Sequence, residues 1–446
     1  MEFLKRKSRW VTSLTLPSFR PLEEEQRLLG PLDVEPLDNC HIVYWVFLLY
    51  GVAMLLPWNV FITASEYFAA RFAGTVYEET FQSYFSTYFT ITNLATLIYL
   101  LYRQSSSSGI QIDVMYPLVV NTATFGFMAI TVETSFGGSD YFWLTLVLLV
   151  LTGATTSFFQ MAVIAEASRF PPEYVQAVMS GQGVAGVAVA VSSILSALAG
   201  KTAGDTNRSA FLYFLSALLV TVAALVGRLI LSQQPFYTHQ MQQGKPVDEN
   251  ETDGMTTTPL SQIIRKSSGL IFAVGYIFVI TLMLFPTITS LIKSVRLHPP
   301  TSLSPGRFFD DDIFIATHFL LFNVGDWLGR IIPLWPFFRT FNPRLLALYS
   351  VARTAFIPLF LVCNVVVSTE RHLPVLITSD VVYFVLVLVF SVTNGWISCV
   401  AMMAAPQQPF LQNGTDQSRA GNVMGFSLVA GLAIGGCLSF CARSLV

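Results

Sequence analysis

Eleven stretches of this 446-residue chain are apolar over close to the ~20 residues that a helix needs to cross a bilayer. They run over 42–65, 81–103, 114–133, 141–168, 173–199, 208–231, 268–292, 313–335, 343–367, 378–404 and 419–441. Backbone amides left unpaired in hydrocarbon are costly, so such stretches fold as helices that satisfy their own hydrogen bonds. The pattern predicts an all-α polytopic membrane protein with eleven transmembrane helices. Charged residues are 12% of the chain, against ~25% in soluble domains. A net charge of −2 gives no reason to expect a nucleic-acid partner; the lipid bilayer is the partner implied. Pro57, Pro286, Pro333 and Pro358 fall inside apolar stretches and read as kinks, which membrane helices tolerate.

Polar segments divide the chain. Residues 1–41 form a tail with no apolar core, hence no cleavable signal. Residues 42–231 hold six helices, and 268–446 hold five. Between them, 232–267 is rich in Gln, Thr, Pro and charge, and reads as a largely disordered linker. Lys and Arg concentrate in the tail, the linker and the turns on their side. That bias puts the N-terminus and the linker in the cytosol and the C-terminus in a lumen or outside. Asn207-Arg-Ser then lies on the non-cytosolic side as a glycosylation acceptor, whereas Asn413-Gly-Thr lies on the cytosolic side and stays bare. Cys40, Cys363, Cys399, Cys437 and Cys441 form no metal or redox motif, and neither metal nor cofactor is implied.

One apolar stretch contains FNVGDWLGR, residues 322–330. A charge near the bilayer centre costs roughly 2.5–3.5 kcal/mol on insertion scales, yet Asp326 and Arg330 both sit here. At 100° per residue, Phe319, Asn323, Asp326 and Arg330 share one stripe of the helix. Two readings stand. The pair is a buried ion bridge that fixes helix packing, or it is the polar wall of a wet cavity offering an acceptor and a forked donor to a hydroxyl-rich solute. Gln160 is an amide midway through the fourth helix, suited to the edge of a nucleobase. Trp58, after Pro57 in the first helix, can stack on a planar ring or serve packing. Glu166 and Arg353 are further helix charges, Arg353 belonging to a gate or an ion pair. His318 lies off the stripe and reads as packing.

GQGVAG at 181–186 matches the G-x-G-x-x-G of dinucleotide sites. That chemistry needs a preceding strand and a later acidic residue. Here the motif sits in an apolar helix with Ala185, Ala188 and Ala190, so it reads as a face for close helix packing.

From about residue 40 onward the chain resembles the equilibrative nucleoside transporter family. LLPWN at 55–59, MSGQG at 179–183, Phe285-Pro286, FNVGDWLGR, Arg353 with Pro358, Asn394-Gly395 and AGNVMGFSLVAGLAIGG at 420–436 occur in the family's order. The resemblance implies a major-facilitator-like 6+5 arrangement. It implies nucleoside transport, and in some members nucleobase transport, by alternating access through a central cavity, either equilibrative or proton-linked. It places Trp58 and Gln160 at the base and Asp326 and Arg330 at the ribose, with Asn323 and Phe319 beside them. Leu55, Ile62, Phe285 and Pro286 become cavity lining or gate.

In the tail, Glu24, Leu28 and Leu29 fit an acidic dileucine sorting signal that a clathrin adaptor would read. This favours a vacuolar or lysosomal membrane over the plasma membrane. A major-facilitator transporter for another solute, such as a sugar, is the main rival. Its Gly- and Arg-rich second loop is replaced here by YRQSSSSGIQID at 102–113. An intramembrane enzyme is more remote, because Asp326 is a lone mid-helix Asp and the five His are dispersed.

Overall fold

The computed structural model describes residues 36–105, 113–134, 136–199, 206–242, 258–298, 306–366, 374–411 and 413–444. Glu24, Leu28 and Leu29 lie outside them. The apolar stretches form helices: α1 (Ile42–Thr63), α2 (Phe81–Ser105), α3 (Met115–Val132), α4 (Gly138–Ala167), α5 (Pro172–Ala199), α6 (Thr206–Ser232), α7 (Ser268–Leu284), α8 (Asp311–Ile331), α9 (Pro343–Ala352), α10 (Asp380–Ala404) and α11 (Gly414–Arg443). A turn at Arg353–Ala355 carries α9 on into Phe356–Leu361. Local chemistry sets several of the ends. Asn342 caps α9 by accepting from the Arg344 amide, with Pro343 in the first turn. The Asn413 side chain likewise accepts from the Asp416 amide at the start of α11.

Among the described residues, nine helices are long and apolar enough to cross a membrane. The two long helices outside that set are α2 and α8. Helix α2 is diluted by Gln82, Ser83, Ser86, Thr87 and Asn93, and α8 carries Asp311, Asp312, Asp326 and Arg330. Polar composition, not length, separates them.

Two of the proline readings change. Helix α7 stops at Leu284, and Phe285 is extended, as the residue before a proline tends to be. Pro333 opens a short 3-10 turn beyond α8. Both prolines end helices rather than kink them, whereas Pro57 stays inside α1. Of the linker read as largely disordered, residues 243–257 lie outside the described residues, while its two described ends are ordered. Pro235–Gln242 and Leu260–Lys266 are short helices. Phe236, Tyr237 and Ile263 give them buried apolar anchors, which a disordered segment lacks.

The core is divided unequally. One apolar cluster joins Val43 and Phe47 of α1, Phe159 of α4 and Val175 of α5 to Val274 of α7, Met403 of α10 and Met424 of α11. It includes the two anchors of the first linker helix, Phe236 and Tyr237, and so lies at the linker end of the bundle. A second cluster, built on Phe61, Phe68, Phe85, Phe125, Phe142 and Phe214, draws only on residues before the linker. A third, around Phe314, Phe360, Tyr383 and Phe390, draws only on residues after it. The two sets of helices therefore share the core that holds the linker anchors and a small cluster of Leu97, Leu100 and Met161 with Phe426, and each set also has a core of its own.

Small residues make the shared end tight. A Cβ on Gly181 would strike the Leu48 carbonyl of α1, and one on Gly51 would strike Val178 of α5. A Cβ on Gly183 would come within 2.9 Å of the Trp327 ring of α8. GQGVAG is thus helix interior whose glycines face α1 on one side and α8 on the other, the close packing that small residues permit.

Candidate functional site

Helix α8 carries its polar stripe into the contact with α5 and α10. Asp326 and Arg330 are both buried and form an ion pair, Arg330 Nε donating to Asp326 Oδ2 over 2.8 Å. Neither side chain ends there. Asn394 Nδ2 of α10 donates to Asp326 Oδ1 over 2.6 Å. Arg330 Nη1 donates to the Met179 carbonyl at 2.8 Å and to Gln182 Oε1 at 3.1 Å, both on α5. Gln176 Nε2 adds a bond to the Arg330 carbonyl at 2.9 Å.

The network continues on both sides. Gln182 Nε2 meets Met54 Sδ of α1 at 3.0 Å, one turn before Trp58. On the other side, Thr281 Oγ1 of α7 donates to Asn394 Oδ1 over 2.6 Å and accepts from Arg353 Nη2 at 2.9 Å. Arg353 is fully buried. It also donates to the Phe390 carbonyl at 2.7 Å and to Thr393 Oγ1, with its guanidinium 4.4 Å from the Phe390 ring centre. Among the described residues Arg353 has no carboxylate partner, so the ion-pair reading of it does not hold. One carbonyl, two threonine hydroxyls and a ring face surround it instead.

The remaining predicted residues are distributed around this network. Asn323 turns its amide back to the Phe319 carbonyl at 2.9 Å and packs under Gly186 of α5. Gln160 is buried, with Nε2 donating to the Gly425 carbonyl of α11 at 3.3 Å. Phe285 stacks on Phe322 with ring centres 3.8 Å apart and lies 4.8 Å from Phe319. Pro286 beside it is exposed. His318 is buried against Phe319, 4.8 Å between ring centres, in keeping with a packing role.

Trp58 stacks on Phe89 of α2 at 4.8 Å. It lines a cavity of about 220 Å³ with Phe61, Ile62, Ser65, Gln82 and Phe85. Leu55 is half-buried on the same helix. Asn207 is exposed at the start of α6. Glu166 belongs elsewhere: its carboxylate pairs with Arg228 at 3.1 Å and accepts from the Tyr237 hydroxyl at 3.0 Å. Burial pushes the Tyr237 phenol up from its ordinary range, so it remains a donor to that carboxylate.

Gln182, Asn394 and Thr281 join the network without a role that the sequence alone predicts. Gln182 and Asn394 carried the same signal as Gln160, an amide inside an apolar helix. Thr281 carried almost none, because a threonine hydroxyl can bond its own helix.

A family model for nucleoside transporters matches residues 146–444, which include Gln160, α8 and α10. The chain belongs to the nucleoside transporter family. Equilibrative nucleoside transporter 1 of Rattus norvegicus is 29% identical over 92% of this chain and 99% of its own. Nucleoside transporter FUN26 of Saccharomyces cerevisiae is 28% identical over 94% of this chain and 88% of its own. In structure, the major facilitator superfamily transporter FucP, solved in an outward conformation, matches 91% of this chain and 96% of its own. The TM-score there is 0.50 at 14% identity, a likeness of fold alone. This member of the nucleoside transporter family thus has a major-facilitator-like, multi-pass membrane fold. Its charged network sits where the two sets of helices meet.

Proposed function

We propose that this chain carries nucleosides across a membrane by alternating access, with the ribose at Asp326 and Arg330 and the base between Trp58 and Gln160. All eleven long helices span, six before the linker and five after it. The N-terminus and linker face the cytosol, and the C-terminus faces a lumen or the exterior. One observation supports the reading above the others. The two helix sets share polar bonds and the apolar core that holds the linker anchors, while each also has a core of its own. That is the arrangement of a carrier shut on one side of its path.

The chemistry of the pair fits a vicinal diol. Among the described residues each carboxylate oxygen of Asp326 has one protein donor, which leaves each an acceptor position. Arg330 Nη2 makes no hydrogen bond among the described residues and is a free donor for a ring or hydroxyl oxygen. Phe285 and Pro286 with Ile62 belong to the gate away from the linker. The dileucine pattern directs the protein to a vacuolar or lysosomal membrane through a clathrin adaptor.

Uptake of radiolabelled uridine and adenosine by the purified protein in liposomes tests transport. Repeating it with an imposed pH gradient separates equilibrative from proton-linked movement. Sugar uptake without nucleoside uptake would overturn the reading. Microscopy of a Leu28→Ala, Leu29→Ala variant tests the sorting signal, which predicts a shift to the cell surface.

A further inference from the structure

The ion pair at the centre of the site is held asymmetrically. Apart from Arg330, the partner of Asp326 among the described residues is Asn394, on α10. That amide has its orientation set by Thr281 on α7, and Thr281 is set in turn by Arg353. All of these residues follow the linker. Arg330 reaches the other way. Both acceptors of its Nη1, the Met179 carbonyl and Gln182 Oε1, are on α5, before the linker. Gln182 is itself tied to Met54 of α1. A motion that parts α5 from α8 at the linker end breaks the Arg330 bonds to Met179 and Gln182 and leaves both bonds to Asp326, from Arg330 and from Asn394, whole.

We infer that the two charges have separate tasks in the transport cycle. Asp326 is a constant acceptor, positioned by Asn394 and carried with the last five helices through both states. Arg330 is a movable arm, docked on Gln182 and Met179 while the linker end is shut and released toward the solute when it opens. Asn394 is then a positioning residue that sets affinity and selectivity for the sugar. Gln182 is a latch residue that sets the rate of the change between states. A guanidinium that loses its acceptors in a buried place needs others, and the oxygens of a bound solute supply them. Solute binding and opening are thereby coupled at one side chain. The inference rests on the nucleoside reading proposed above.

The two residues are separable by experiment. Uptake of uridine and of 2′,3′-dideoxyuridine is measured competitively in liposomes for the parent protein and for Asn394→Ala, Asn394→Ser, Gln182→Ala and Gln182→Glu. Asn394→Ala is expected to raise half-saturation for uridine roughly tenfold and to bring the ribose-to-dideoxyribose preference toward one. Asn394→Ser keeps a donor and recovers part of both. Gln182→Glu gives Arg330 a charged acceptor, holds the linker end shut, and lowers the maximal rate roughly tenfold while the preference stays within about twofold of the parent. Gln182→Ala loosens the latch and changes the maximal rate with the preference kept.

A collapsed preference in either Gln182 variant would overturn the division of tasks. So would an unchanged preference in Asn394→Ala, or, if that variant does not fold, in Asn394→Ser. A parent protein that moves no nucleoside overturns the underlying reading instead, and the parent control reports that separately.

Discussion

Asp326 and Arg330, four residues apart on α8, are joined over 2.8 Å, yet each is also bonded to a different neighbouring helix. A pair that served packing alone and one that served a solute would both look buried. They differ in what a neutral substitution does. Asp326→Asn keeps the shape and removes the charge. Charge-assisted bonds to ribose hydroxyls are worth about 1.5–3 kcal/mol each. The expected outcome is loss of most uridine transport and a reduced preference of ribose over dideoxyribose. Competitive uptake on the same liposomes measures the ratio independently of protein amount. An unchanged ratio, together with a lowered unfolding temperature, would leave only the packing role.

Gln160 is bonded to the Gly425 carbonyl in this conformation, so a base must displace that bond or share the amide. Gln160→Ala removes a neutral hydrogen-bonding group, with a net effect of about 0.5–1.5 kcal/mol. Half-saturation for nucleosides should rise by about twofold to somewhat over tenfold. Kinetics unchanged across several nucleosides would take Gln160 out of the site.

Gly395 lies where α10 presses on α8, and a Cβ there would strike the Asp326 carbonyl. The contact is with backbone, so no side chain can swing aside. Gly395→Ala is expected to cost about 1–3 kcal/mol as an overpacked core position. It should also draw Asn394 from Asp326 and so weaken uridine binding beyond the loss of stability. Thermal unfolding in detergent and uptake by the folded fraction check the two parts. A variant as stable and active as the parent would refute the tight contact.

The first linker helix is held by Tyr237, which donates to Glu166 and accepts from Arg228 at 2.6 Å. Glu166→Ala would leave Arg228, among the described residues, with Asp113 at 3.3 Å as its charged partner. Removing one member of a buried pair costs about 3–5 kcal/mol; some exposure of Arg228 puts this case at the low end. Tyr237→Phe loses the link and costs less. Unfolding temperatures in the order parent, Tyr237→Phe, Glu166→Ala are expected. Equal values for all three would show that the linker helix is not docked through this group.

Much of the architecture is written along the chain. In a bilayer the hydrogen bonds of a helix are local, so apolar length sets where helices form. Ten of the eleven helices begin within three residues of their apolar stretches, and α11 begins five earlier, where Asn413 caps it. The stripe of Asn323, Asp326 and Arg330 was readable for the same reason, since the 100° turn fixes it within one helix. The linker helices were less legible because Phe236 and Tyr237 are too few to make a pattern; they fold by docking.

The partners of the charges come from packing between helices. Which residue of α5 or α10 faces Asp326 depends on the rotation and spacing of three helices. Contacts at Gly183, Gly329 and Gly395 set that spacing, and no single helix encodes it. The helices and the polar side of α8 are local properties of the chain. Packing alone put Arg330 on α5 and Asn394 on Asp326, because a bond between helices forms only once both backbones are in place.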